Sequence, residues 1–134
     1  MATAQVEQDN IALVKAGYAA FGAGDMATLT DLYHSDAAFY TVSTGPAQGT
    51  HLGRDAIFAY FGSVMEDSGG TFKPTPIAMA ATDDRVFVLQ ELSGTRNGRS
   101  MQQGSVMVFT IDGGLVREMR EFFADGSAVA AFWA

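Results

Sequence analysis

Three short turn sequences in the second half of the chain constrain its fold more than any other feature. Asn97-Gly98 and Asp112-Gly113-Gly114 are strong hairpin signals, because a type I′ turn needs positive φ at both central residues, and Asp83-Asp84 is a weaker one. The segments around these turns are predicted strands, at residues 71–82, 85–96, 99–111 and 115–123. Strands joined by consecutive hairpins form an antiparallel meander.

The first half of the chain follows the period of a helix instead. Ile11, Val14, Tyr18 and Phe21 are spaced by three and four residues, which predicts a helix over about residues 6–22. In the segment 22–25 that follows, a glycine suits the left-handed position after a helix, and Asp25 suits the cap of a second one. The other predicted elements are that second helix through Tyr33, a strand at 37–42, a loop at 43–53, a third helix at 54–67 and a short helix at 127–133.

This order of elements predicts an α+β fold in one domain, residues 1–134. Helices grouped ahead of an antiparallel sheet are typical of that class. A strongly curved antiparallel sheet wrapped over three helices makes a cone with one open end. The inside of such a cone is where a small ligand would bind.

Composition and charge exclude several kinds of partner. The chain has no cysteine, which excludes disulfides, a thiol nucleophile and a cysteine–zinc site, and its two separated histidines predict no metal site. The net charge of −7, without a basic cluster, argues against nucleic acid as a partner. Neither a signal peptide nor an apolar run of about 20 residues is present, so we expect a cytoplasmic protein with no membrane partner.

Four segments of the sequence carry a resemblance to a known family. They are Tyr-Ala-Ala-Phe-Gly-Ala-Gly-Asp at 18–25, Leu-Tyr-His-Ser-Asp-Ala at 32–37, Gly-Arg-Asp-Ala-Ile at 53–57 and the segment 114–123. In this order they resemble the NTF2-like superfamily, most of all its SnoaL-like and ketosteroid-isomerase-related group. The resemblance implies the cone fold over nearly the whole chain. It implies less about function, because the fold hosts isomerases, hydrolases, cyclases and binding domains.

The ketosteroid isomerase site is missing. That chemistry needs a carboxylate base together with a tyrosine and a protonated aspartic acid as oxyanion donors. The resemblance places the base on Thr41, the aspartic acid on Ser105 and the tyrosine on Gly17. None of the three can fill its role, so steroid isomerisation of that type is rejected.

Two other sites of the superfamily fit better. A limonene-epoxide-hydrolase-like site needs two carboxylates flanking an arginine; Glu121 matches one acid and Glu91 lies near the other, but Leu89 stands where the arginine is expected. SnoaL-like cyclases need only one buried acid in an apolar cavity, so the chain departs least from that pattern, with Glu121 as the candidate acid. The leading hypothesis is therefore an acid–base isomerase or cyclase acting, without a cofactor, on an apolar or polyketide-like molecule. A non-catalytic ligand-binding or dimeric interaction domain is the alternative, and epoxide hydrolysis with Glu91 and Glu121 is the second.

The environment of Glu121 decides between these hypotheses. On a strand, Glu121 shares a face with Met119 and Phe123. If that face is the inner one, burial raises the pKa of the carboxyl group. The alternative is a carboxylate that faces water or pairs with an arginine such as Arg117.

Glu91 is harder to place, because both faces of residues 86–92 are apolar and the inner face stays open. A cross-strand ion pair is the alternative to a catalytic role for Glu91. Further ligand contacts are expected from polar groups that a pocket needs and from large apolar groups. These candidates are Tyr18, Thr41, His51, Tyr60, Ser105, Met107 and Phe123.

A homodimer is also expected. Apolar residues recur at period two on adjacent predicted strands and would form a large exposed patch, which monomeric proteins avoid. The residues are Val86, Val88, Val106, Val108 and Phe122.

Overall fold

The structure is a computed structural model that describes residues 3–41 and 49–134. Helices and strands follow one another in the predicted order, with one added strand. They are α1 (Ala4–Ala23), α2 (Met26–Leu32), β1 (Tyr33–Thr41), β2 (Gly49–Leu52), α3 (Arg54–Asp67), β3 (Lys73–Thr82), β4 (Arg85–Arg96), β5 (Arg99–Asp112), β6 (Leu115–Phe123) and α4 (Gly126–Trp133). Within the described ranges, no helix is both long and apolar enough to cross a membrane.

The junction of the first two helices forms as the sequence predicts. Gly24 ends α1 in the left-handed conformation, with φ of 67°. Asp25 then caps α2, because its carboxylate accepts a hydrogen bond of 3.1 Å from the backbone nitrogen of Thr28. Tyr33, which we predicted in this helix, is instead the first residue of β1.

The three predicted turns are confirmed. Asn97 and Gly98 both have positive φ, of 52° and 76°, as a type I′ turn requires. Gly113 and Gly114 also have positive φ, and so does Asp83. Strands β3 to β6 therefore form the expected meander.

The sheet is not wholly antiparallel, which corrects the prediction. Its order is β2-β1-β6-β5-β4-β3, and β1 pairs with β6 in parallel. The connection from β1 to β6 includes β2, α3 and strands β3 to β5 and is long enough for this pairing, whereas a hairpin would not be. Residues 49–52, predicted as loop, form β2 at the edge beside β1. The predicted strand end at Val42 and the loop residues 43–48 lie outside the described residues.

The two faces of the sheet differ in how far their side chains are buried. Val86 and Val88 are fully buried against the helices, in one cluster with Val14 of α1. Our prediction that these two valines lie on an exposed dimer face is therefore wrong. The alternation along β4 was read correctly, but both sets of residues are apolar, so hydrophobicity could not choose between the faces.

The opposite face, here called the outer face, carries the other residues of the same strands. Its apolar members are Phe87, Leu89, Val106, Val108 and Phe122, which adjoin one another in the register of β4, β5 and β6. Phe87, Leu89 and Phe122 are exposed. An apolar patch of five residues therefore exists as expected, but Phe87 and Leu89 belong to it in place of Val86 and Val88.

Candidate functional site

A cavity lies between the helices and the inner face of the sheet. It encloses about 700 Å³ of empty space, counting the part that opens to solvent. Its lining is aliphatic and phenylalanine-rich, with five side chains that carry a polar group: Tyr18, Tyr33, Tyr60, Gln90 and Glu121. Lysine, arginine and histidine are absent from the lining formed by the described residues. In the same ranges, no three His, Asp or Glu side chains lie close enough together to hold a metal ion.

Glu121 projects from β6 into this cavity and is only 6% exposed. Burial raises the pKa of its carboxyl group to about 7, because removal of water disfavours the charged form. Hydrogen bonds from Ser105 and Gln90 act in the opposite direction and are smaller effects. Arg117 does not neutralise this acid; its guanidinium lies 3.3 Å from the ring of His34. Glu121 is therefore a carboxyl group able to change charge near neutral pH.

Both donors to Glu121 end on the same oxygen. Gln90 Nε2 donates to Oε2 across 2.9 Å, and Ser105 Oγ donates to it across 3.0 Å. Gln90 Nε2 also donates to Ser105 Oγ across 2.7 Å. Gln90 Oε1 in turn accepts a bond of 2.6 Å from the hydroxyl of Tyr18 on α1. Residues from β4, β5, β6 and one helix thus form one buried network.

The three cavity tyrosines differ in their bonding. Burial raises the pKa of each, and the charge of Glu121 contributes for Tyr18 and Tyr60. Tyr33 donates to the sulfur of Met119 at 3.4 Å. The Tyr60 hydroxyl lines the cavity and takes part in none of the hydrogen bonds formed within residues 3–41 and 49–134. Tyr60 is therefore able to donate a hydrogen bond to a ligand.

Some predicted ligand contacts lie elsewhere. Thr41 is buried beside β2, and its hydroxyl donates to the carbonyl of Gly49 at 3.2 Å. His51 lies behind Tyr60, with the two rings stacked 4.3 Å apart, and burial lowers the pKa of the imidazole. Phe123 packs against the cluster that holds α4 to the sheet. Of the predicted contacts, Tyr18, Tyr60 and Met107 line the cavity, and Ser105 reaches it through Glu121.

Glu91 does not meet Glu121, which corrects the prediction that both acids form one site. Its neighbour Gln90 faces the cavity, so Glu91 projects from the outer face of β4. There its carboxylate accepts a hydrogen bond of 3.0 Å from Gln102. The two-carboxylate arrangement of an epoxide hydrolase is not formed by these residues.

Gln90 is the site residue that sequence reasoning missed. A signal existed, because Gln90 is the single polar residue in the alternating set Val86, Val88, Gln90, Leu92. A polar side chain on a buried face must find partners. The polar residue could be recognised as a site residue only once it was known which face of β4 is the inner one. Gly17, one of the positions singled out by the family resemblance, also lines the cavity.

Comparison with known proteins agrees with this architecture. Residues 14–119 match the family model of the SnoaL-like domain. The uncharacterized protein Rv0034 of Mycobacterium tuberculosis (strain ATCC 25618 / H37Rv) is 30% identical over 123 residues, covering 91% of this chain and 94% of its own length.

Two solved structures are similar over nearly their whole length. Bal32a, from a soil-derived mobile gene cassette, is 38% identical with a TM-score of 0.93, over 96% of this chain and 98% of that one. A protein of unknown function with a cystatin-like fold from Xanthomonas campestris is 32% identical with a TM-score of 0.87, over 93% and 98%. The chain thus shares its sequence pattern, its helices and its curved sheet with these proteins, and it belongs to the SnoaL-like family of the NTF2-like superfamily.

Proposed function

We propose that this protein binds a neutral, apolar molecule of aromatic or polyketide-like type in its cavity and performs acid–base chemistry on it. The observation that carries the proposal is Glu121, a buried carboxyl group with a pKa of about 7 at the wall of an apolar cavity. A group whose pKa lies near the working pH both accepts and returns a proton efficiently. Glu121 is the proton shuttle in this proposal.

The lining supports a neutral ligand. The cavity offers large apolar surfaces and no cationic side chain among the described residues, so an anionic ligand would lose its hydration without a countercharge. The hydroxyl of Tyr60, which has no hydrogen-bond partner among the described residues, suits a carbonyl oxygen of the ligand. A proton removed next to that carbonyl would leave an enolate, whose oxygen Tyr60 would stabilise by hydrogen bonding.

Exchange of ligand protons with solvent tests the chemistry directly. α-Tetralone, a neutral bicyclic aromatic ketone, is incubated with the protein in D2O, and loss of its α-proton signal is followed by NMR. We expect wild type to accelerate the exchange above the buffer rate. Glu121→Gln should still bind the ketone but should give only the buffer rate, because an amide cannot accept the proton.

A ligand-binding protein without catalysis is the second candidate, supported by the same apolar lining. Titration of the Glu121 carboxyl carbon by NMR separates the two candidates. A pKa near 7 supports the proton shuttle. A pKa at or below the ordinary value of 4.5 would leave Glu121 ionised at neutral pH and would favour the binding protein.

We further propose that two copies of the chain associate through the outer face of the sheet. Leu89, Val106 and Phe122 lie side by side across β4, β5 and β6, and Leu89 is 47% exposed. Ile77 on the neighbouring β3 is also exposed. Covering this patch with an identical patch removes apolar surface from water on both copies.

A further inference from the structure

We propose that Gln90 is a positioning residue: it holds Glu121 by Oε2 and thereby leaves Oε1 as the oxygen that exchanges a proton with the ligand. This inference rests on the proposed function and adds to it the atom that reacts and the residue that selects it. Gln90 lines the cavity, but its hydrogen bonds go to Glu121, Ser105 and Tyr18, so in this proposal it acts on the ligand through Glu121.

The hydrogen-bond inventory of the amide carries the first step. A glutamine side chain has two N–H donors on Nε2 and one acceptor oxygen. The two donors are directed to Ser105 Oγ at 2.7 Å and to Glu121 Oε2 at 2.9 Å. Ser105 adds a second donor to the same Oε2. These two hydrogen bonds favour an unprotonated Oε2, because a proton on that oxygen would point at the two N–H and O–H donors.

Tyr18 fixes the orientation of the amide. The two ends of an amide have nearly the same size, so only their partners decide which end faces which way. The Tyr18 hydroxyl donates to Gln90 Oε1 at 2.6 Å, which turns Nε2 toward the carboxylate. A reversed amide would place its oxygen against Oε2, acceptor against acceptor. Because burial keeps Tyr18 protonated, this donor is present throughout the neutral range.

The proton balance of the step follows from this arrangement. A lone pair on Oε1 of the ionised Glu121 takes the proton, and the electron pair of the ligand C–H bond stays on the ligand as its enolate. Oε1 later returns the proton to the ligand, and the carboxylate is restored. Oε2 keeps both of its donors in each state, so the network need not rearrange during turnover.

No other charged group faces Glu121 in the described lining. The titratable groups there are Glu121 itself and the hydroxyls of Tyr18 and Tyr60, which feel its charge, and of Tyr33. All three tyrosines stay neutral at pH 7, because burial raises their pKa values. The pKa of Glu121 is therefore set by its burial and its hydrogen bonds, without a neighbouring charge, so variants that keep the carboxyl group buried report on the hydrogen bonds.

A double-mutant cycle tests the proposal, with the pKa of Glu121 read from its carboxyl carbon by NMR. Gln90→Met removes one donor to the ionised form and should raise that pKa by about one pH unit. Tyr18→Phe removes the hydrogen bond that orients the Gln90 amide, and it should raise the pKa of Glu121 by a smaller amount. In the double variant, Tyr18→Phe should add nothing, because it acts only through Gln90.

Tyr33→Phe is the matched control, since it deletes the same atom in the same cavity without touching Gln90. It should leave the pKa of Glu121 unchanged. Additive effects of the two substitutions, or an unchanged pKa in Tyr18→Phe, would overturn the positioning role. Tyr18→Phe alone remains decisive if Gln90→Met does not fold. A wild-type pKa of 4.5 or below would instead overturn the proton shuttle, while the differences between variants would still report on positioning.

Discussion

The hydroxyl of Tyr18 donates a hydrogen bond of 2.6 Å to the side-chain oxygen of Gln90, although the two residues lie 72 positions apart in the chain. Gln90 in turn donates a hydrogen bond to Glu121, which lies 31 positions further along the chain. One helix and two strands thus meet at a carboxyl group that none of them would bury alone. The acidity of Glu121 is for this reason a property of the tertiary structure.

Stability should depend on pH through Glu121. Its folded-state pKa of about 7 lies above the ordinary value of 4.5, so between these values the folded protein holds a proton that the unfolded chain has lost. The stabilisation is complete below about pH 4.5 and is lost as the pH rises through 7. The loss amounts to about 3 kcal/mol. Glu121→Gln has no proton to lose, so relative to wild type it should gain this amount between pH 4.5 and 8.

Urea unfolding of both proteins at several pH values measures the difference in their free energies of unfolding. The other titrating groups are the same in both proteins, so their contributions cancel in that difference. Glu91→Gln makes the same substitution on the outer face and tests whether the gain requires the cavity. A Glu121→Gln difference that stays flat with pH would contradict the prediction. So would an equal gain in Glu91→Gln.

Filling the cavity should abolish binding of a neutral apolar probe. Gly17 lines the cavity, and a Cβ added there meets no atom within 4 Å, so Gly17→Leu can place its side chain in the empty space. We expect the affinity for the fluorescent probe N-phenyl-1-naphthylamine to fall at least about tenfold. Gly22→Leu, the same substitution on an exposed position of α1, should leave the affinity unchanged. Equal affinities of wild type and Gly17→Leu would place the probe elsewhere.

Association should depend on the outer face of the sheet. Light scattering at micromolar concentration should give twice the chain mass of 14.2 kDa for wild type. Leu89→Glu should give a single-chain mass, because burying a carboxylate in an apolar interface is unfavourable. Val6→Glu introduces the same charge at an exposed apolar position on α1 and should stay dimeric. A wild type of single-chain mass would refute the proposed dimer.

The hairpin between β4 and β5 should be sensitive to a side chain at Gly98. With φ of 76°, Gly98→Ala should lower the free energy of unfolding by about 1 kcal/mol. Gly22→Ala, within α1, should raise it by roughly 0.5–1 kcal/mol, because alanine favours the helix. Thermal melts of the two variants should therefore move in opposite directions. A Gly98→Ala variant with the melting temperature of wild type would contradict the prediction that a side chain strains the backbone at this turn.

Local signals in the sequence determined most of the secondary structure. The turn at Asn97-Gly98, the helix end at Gly24 and the cap at Asp25 depend on the conformational preferences of the residues themselves, and all three formed as predicted. The edge strand β2 escaped detection, because four residues carry too little periodicity to be recognised. The order of helices and strands, together with the family resemblance, predicted the cone, and Glu121 was singled out from the segment 114–123 that carries the resemblance.

Only the tertiary structure decided which side of the sheet is inside. Along β4 both alternating sets are apolar, so period two could not distinguish Val88 from Leu89 or choose between Gln90 and Glu91. Packing of α1 against the sheet made the choice, burying Gln90 to 1% exposure and leaving Glu91 on the outer face. Burial, in turn, raises the pKa of Glu121. The sequence alone determined which acid was available, and the packing of distant elements determined its environment, because desolvation depends on everything that surrounds a group in space.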